Sequence, residues 1–175
     1  MNFIRNFTLA FFILCFSKTN GQSFITYKDT VNRFTINIPA GWKYGTNIKL
    51  PDLLLIAQKT PINQADTSRD NFNINVIRTP TKTLDKTFAD FLSYLPDAKN
   101  YKLINTGDTI FNGVKFKWLI ETHKNDNRDV QMHNYDFVTV KNGKTYILTL
   151  VTFSNEFEKA KPLFDKIASS FYLFD

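Results

Sequence analysis

Phe34-Thr35-Ile36-Asn37-Ile38-Pro39-Ala40-Gly41-Trp42 is an alternating run that stops abruptly. In an extended chain Phe34, Ile36 and Ile38 fall on one side and Thr35 and Asn37 on the other, the pattern of a half-buried strand. Pro39 cannot donate a ladder hydrogen bond and Gly41 frees the backbone to turn, so the strand ends there. Trp42 then reads as an apolar plug beside the turn. Upstream, residues 23–28 alternate and predict a first strand, joined to the second by the turn Asp29-Thr30-Val31-Asn32. Downstream, residues 53–58 predict another strand. Residues 59–70, polar and carrying Pro61, predict the longest loop. Residues 72–77 alternate again, with Asn73 and Asn75 opposite Phe72, Ile74 and Val76.

The period then changes. Leu84, Phe88, Phe91, Leu92 and Leu95 form a single helical stripe, with Thr83 placed to cap it, Asp85 at the positive end of its dipole and Pro96 to stop it. Strands are predicted next over 101–106, 114–123, 130–140 and 144–152. Asn112-Gly113 and Asn142-Gly143 tolerate the positive φ of tight hairpins, and residues 125–129 close the hairpin between them. These strands are apolar on both faces: Phe116, Trp118 and Ile120 oppose Leu119, and Tyr146, Leu148 and Leu150 oppose Ile147 and Val151. A sheet apolar on both sides needs cover on both sides. Phe157, Phe164, Ile167 and Phe171 lie at helical spacing, with Pro162 marking either the first turn or a kink. The expected fold class is α+β: an α/β/α sandwich on a central, mainly antiparallel sheet, one domain over residues 22–175.

Residues 1–21 are read as a secretory signal peptide: a start made basic by Arg5, an apolar core from Phe7 to Phe16, and a polar exit closing on Gly21. The core holds about ten residues, half of what a spanning helix needs. Acylation of Cys15 is disfavoured because Leu14 precedes it and the cysteine lies inside the core. Removing the leader takes away Arg5, Lys18 and the only cysteine, which lowers the formal net charge from +6 to +4. The mature chain then has no thiol for a disulfide, a nucleophile or a metal. Its charge excess is modest, without the clustered Lys and Arg of a nucleic-acid surface. The expected location is the periplasm or the extracellular space, with association with the envelope.

The run from Phe34 to Trp42, the strand containing Asn73 to Val76 followed by a Leu-led helix, and the aromatic closing helix ending on Ile167-Ala168-Ser169-Ser170-Phe171 together resemble the PsbP-like family, bacterial branch. The resemblance covers nearly the whole mature chain. It implies the same sandwich, and it implies an interaction module, since members of the family are mostly non-enzymatic. No residue matches a family functional site, and the photosynthetic role does not carry over.

His123 and His133 flank the turn at 125–129, so with Glu121 or Asp136 they are candidates for a metal site of mixed nitrogen and oxygen ligands; strand register decides it. Asn125-Asp126-Asn127-Arg128-Asp129 has the look of a calcium loop but lacks its glycine and distant glutamate. Asn134 and Asp136 share a strand face with Met132 and Val138, as Asn73 and Asn75 share one of theirs; these polar residues are read as an uncovered part of the sheet, with the rim of a pocket as the alternative. Lys141, Lys144, Lys159, Lys161 and Lys166 tint the C-terminal half basic. No nucleophile elbow, phosphate loop or zinc-protease helix is present. The expectation is a non-enzymatic, monomeric binding module with no cofactor and a cell-envelope protein as partner. The alternative is a small-ligand or metal-ion carrier with a pocket between sheet and helix.

Overall fold

The computed structural model describes residues 22–46, 49–64, 66, 69–79, 82–125 and 129–175. The expected leader, residues 1–21, lies outside them.

The C-terminal meander is the frame. β6 (Lys102–Phe111), β7 (Val114–Lys124), β8 (Gln131–Lys141) and β9 (Lys144–Phe153) pair as antiparallel neighbours in sequence order. At two of the turns Asn112 and Gly113 sit at φ of 49° and 80°, and Asn142 and Gly143 at 51° and 69°. This is the conformation that the Asn-Gly pairs foretell. β5 (Asn71–Arg78) pairs with β9, β4 (Leu53–Gln58) with β5, and β3 (Lys43–Thr46) with β4. The result is one antiparallel sheet in the order β3-β4-β5-β9-β8-β7-β6.

β1 (Phe24–Asp29) and β2 (Phe34–Pro39) do not join it. They pair with each other, and β2 also pairs with β10 (Tyr172–Leu173), forming a separate three-stranded sheet. Its inner residues Phe34, Ile36 and Ile38 are fully buried. They share the main core with α2 (Phe157–Ser169), whose Phe164 and Ile167 are also fully buried, and with Phe116, Leu148 and Phe72 of the large sheet. Phe171 ties the layers, with its ring 5.6 Å from Phe34 and 5.9 Å from Phe116. The opposite face of the large sheet carries α1 (Leu84–Tyr94), which packs Phe88 on Leu119, Val138 and Ile147. Thr83 accepts the Lys86 amide at its N-cap, and Lys117 reaches Asp85 at 3.0 Å. The mainly antiparallel, two-helix α+β fold agrees with the expectation.

Three details differ. The strand expected to end at Thr106 runs on to Phe111, because Gly107 and Asp108 are accommodated in an edge strand rather than breaking it. β3, four residues with Gly45 among them, had too little alternation to be read. Pro162 neither opens α2 nor ends it; the helix begins at Phe157 and carries Pro162 on its exposed side.

Candidate functional site

Two places combine unusual chemistry with position. The first lies on the α1 face of the large sheet, beyond the end of the helix. Cross-strand pairing sets Glu121 opposite Asn134, and Asp136 opposite Thr149. Glu121 and Asp136 are 1 % and 2 % exposed. Burial pushes the Glu121 carboxyl up to about 7, opposed by a hydrogen bond from Asn134. Burial likewise pushes Asp136 up to about 7, opposed by Thr149; the charge of Glu121 raises it further and that of His123 lowers it. Thr149 donates its hydroxyl to Asp136 Oδ1 at 2.5 Å. Asp136 Oδ2 and Asn134 Oδ1 are buried without a partner. His123 Nδ1 lies 3.0 Å from Glu121 Oε1. Tyr101 borders the cluster: burial, then the charges of Glu121 and Asp136, raise its phenol. Burial thus favours the protonated form of both carboxyls. Asp136 is therefore buried rather than part of an uncovered face, while Asn73 and Asn75 are half-buried, with Asn75 Nδ2 donating to Asn73 Oδ1 at 2.7 Å.

Register corrects the paired-histidine metal site. His123 is paired with Met132, and His133 with Thr122. A one-residue offset on a pleated strand sends the two imidazoles to opposite faces. His123 joins Glu121 and Asp136, whereas His133 lies flat on Phe157 of α2, with ring centroids 3.7 Å apart and an interplanar angle of 2°. Neither His133 nitrogen has a hydrogen-bond partner, and burial lowers its basicity against the pull of Glu158. His133 is thus an aromatic packing residue. Among the described residues no three His, Cys, Asp or Glu side chains form a metal-holding group. Most of the calcium-like loop, residues 126–128, lies outside the described residues.

The second place lies on the α2 face, where the sheet extends past the helix. A groove of about 440 Å³ runs between α2 and β6, floored by Phe111, Trp118, Tyr135 and Phe137, with Asp165 and Lys166 on the helix side. Trp118 can lie over β6 because residue 107 is glycine; a Cβ there would stand 2.5 Å from the indole Cζ2. Trp118 meets Tyr135 edge to face at 5.9 Å. Lys161 sits 5.4 Å from the Tyr135 ring centre and is held by Asp165 at 2.9 Å. Burial, with Asp165 beside it, pushes the Tyr135 phenol up to about 12. The sequence placed Phe116, Trp118 and Ile120 on one face but not the point where helix cover ends. Aromatic residues two apart on facing strands, Trp118 with Tyr135 and Phe137, were the available signal.

Fold and groove together define a two-sheet α+β sandwich with one helix on either side and an aromatic shelf at an open edge. The PsbP family model matches residues 22–173, and the chain belongs to the PsbP family. Among solved structures it is similar to cyanobacterial PsbP (CyanoP) from Synechocystis, with a TM-score of 0.66 and 22 % identity over 90 % of this chain and 96 % of that one. It is also similar to LpqN of Mycobacterium tuberculosis, described as involved in cell envelope biogenesis (TM-score 0.59, 10 % identity, 89 % and 93 % covered). A third is the Ran-binding protein Mog1p of Saccharomyces cerevisiae (0.59, 10 %, 88 % and 97 %). At these identities the likeness is one of fold. No curated protein matches the sequence.

Proposed function

We propose that this chain is an exported, non-enzymatic binding module of the bacterial cell envelope, and that a partner protein docks in the groove between α2 and β6. The groove carries the reading. It is a preformed, aromatic-floored recess in the size range of ligand sites, and its polar groups, the Tyr135 hydroxyl and the Lys166 ammonium, are suited to orienting a partner. The two buried carboxyls, Glu121 and Asp136, lie on the other face of the sheet, away from this groove. An involvement of LpqN in cell envelope biogenesis, and Ran binding by Mog1p, are consistent with a fold that serves as an interaction module. The small-ligand reading draws on the same groove; its open side along a sheet edge favours a chain that continues past it.

The test is site-specific photo-crosslinking in the native host, with the photoreactive group at Lys166 and, as control, at Lys86 on α1. A discrete protein adduct from position 166 alone is expected, on a mature chain whose N-terminus is Gln22. Equal labelling from both positions, or none from either, refutes the docking site. An uncleaved N-terminus refutes export through this leader.

A further inference from the structure

We propose that β6 is a docking strand: an extended, acidic, apolar-alternating segment of the partner adds to its free edge and lays every second side chain into the groove beside Trp118. This rests on the binding reading above and specifies how the partner is held.

β6 is the outermost strand of the large sheet and is ten residues long, whereas β3 at the other edge has four. Its side chains include exposed Leu103, Ile104 and Ile110, the last 68 % accessible. A long apolar edge is a template for another strand, and proteins that do not use one usually blunt it. Blunting is present here at one end only. Ile104 is the extra residue of a bulge between Leu103 and Asn105, and Asn105 Oδ1 accepts the Thr106 amide at 2.9 Å. From Gly107 to Phe111 the register with β7 is unbroken.

The backbone groups on offer follow from the turn. A two-residue hairpin loop makes Phe111 and Val114 a hydrogen-bonded pair, so Thr109 and Gly107 also direct their N–H and C=O toward β7. Thr106, Asp108 and Ile110 then direct theirs outward, consistent with the Thr106 amide being taken by a side chain instead of by β7. The side chains on the groove face are those of Phe111, Thr109 and Gly107. At Gly107 there is none, and the Trp118 ring fills that place. A strand added to Asp108 and Ile110 therefore brings alternate side chains against the exposed rim of Trp118, as in strand addition beside a helix.

Charge specifies the segment. Asp108 shares Lys117 with Asp85, at 3.2 and 3.0 Å, and Asp165 is paired with Lys161. Lys166 on the groove rim and Lys102 at the far end of the edge have no carboxylate partner among the described residues. A segment with acidic residues near its ends complements them, and like-charge contact penalises a basic one.

The experiment selects binders from a displayed library of random decapeptides on the folded protein, then measures the enriched peptide as a synthetic sample. The enriched sequences are expected to alternate apolar residues and to carry Asp or Glu. N-methylation of the peptide amides on alternate residues is expected to weaken binding at least tenfold in one of the two registers and little in the other. Ile110→Pro, which removes an outward donor and leaves the inner ladder intact, is expected to weaken it at least tenfold with circular dichroism and Tm unchanged. Lys166→Glu reads the charge term without touching the strand, and several-fold weakening is expected. Amide shifts on binding are expected at Asp108 and Ile110 and at the Trp118 indole. Binding insensitive to N-methylation in both registers, shifts centred elsewhere, or no enrichment overturns the proposal. So does a dimer in sedimentation that Ile110→Pro abolishes, since the edge then belongs to a second copy. Crosslinking from Lys166 combined with N-methyl-insensitive peptides would leave the groove as a site and remove only strand addition.

Discussion

Replacing Asp136 by Asn should make the protein more stable at pH 8 and leave it nearly unchanged below about pH 4. In the unfolded chain an aspartate ionises near 3.8, whereas in the fold burial holds Asp136 protonated up to about 7. Between those values the folded protein keeps a proton that the unfolded chain has released, so stability falls as pH rises through the window and levels off above it. Each tenfold change in acidity corresponds to about 1.4 kcal/mol, which makes the full cost about 4 kcal/mol. Glu121, held at about 7 against 4.5, adds about 3 kcal/mol. The two overlap, because ionising Glu121 is among the causes that raise Asp136. Asn keeps the acceptor that Thr149 uses and places an N–H₂ where the unpaired Oδ2 now sits, on the strand face that also carries the unpaired Asn134 Oδ1. His133 works in the opposite direction: its lowered basicity gives stability that is present above 6.5 and is lost as pH falls below it. It is retained in both proteins and cancels in the difference. Thermal unfolding of parent and variant from pH 3 to 8.5 should therefore show curves that meet below about pH 4 and diverge as pH rises toward 7. The gap at pH 8 should reach up to about 8–16 °C, at about 2–4 °C per kcal/mol for a domain of this size. Parallel curves across the whole range would refute the reasoning.

Four further outcomes follow from packing. Phe164→Ala removes a fully buried ring between the two sheets and should cost about 3–5 kcal/mol in denaturant unfolding. Gly107→Ala forces the Trp118 indole off β6 and should cost about 1–3 kcal/mol, with a shift in tryptophan emission that Gly113→Ala does not produce. Gly113→Ala, strained only by its φ of 80° with open space around it, should cost about 1 kcal/mol through backbone conformation. The His133 ring protons, followed by NMR, should titrate below 6.5, and Phe157→Leu should move the midpoint upward as the stacked ring is lost.

The local elements were legible because their signals are local. Alternation at Phe34, Ile36 and Ile38, the Asn-Gly pairs, and the stripe from Leu84 to Leu95 with Thr83 before it each express a backbone geometry that neighbouring residues can impose. Residues 34–42, with the order of elements after them, were also enough to place the chain in its family. Strand partners were not legible in the same way. β2 alternates identically whether it joins the meander or stands in a second sheet with β10, because period-two patterning names a buried face and not the neighbour.

What the sequence determined by itself is thus a set of strands and helices, the direction each one faces, and the family. What only the tertiary structure decided is which side chains meet. His123 and His133 were ten positions apart on facing strands, and a one-residue offset in register divided them between the two faces of the sheet. The same register gathered Glu121, Asn134, Asp136 and Thr149 in one dry cluster, where burial sets their charge. The groove exists because α2 stops short of the β6 edge and Gly107 lets Trp118 lie across the gap, and relations of that kind have no local signature.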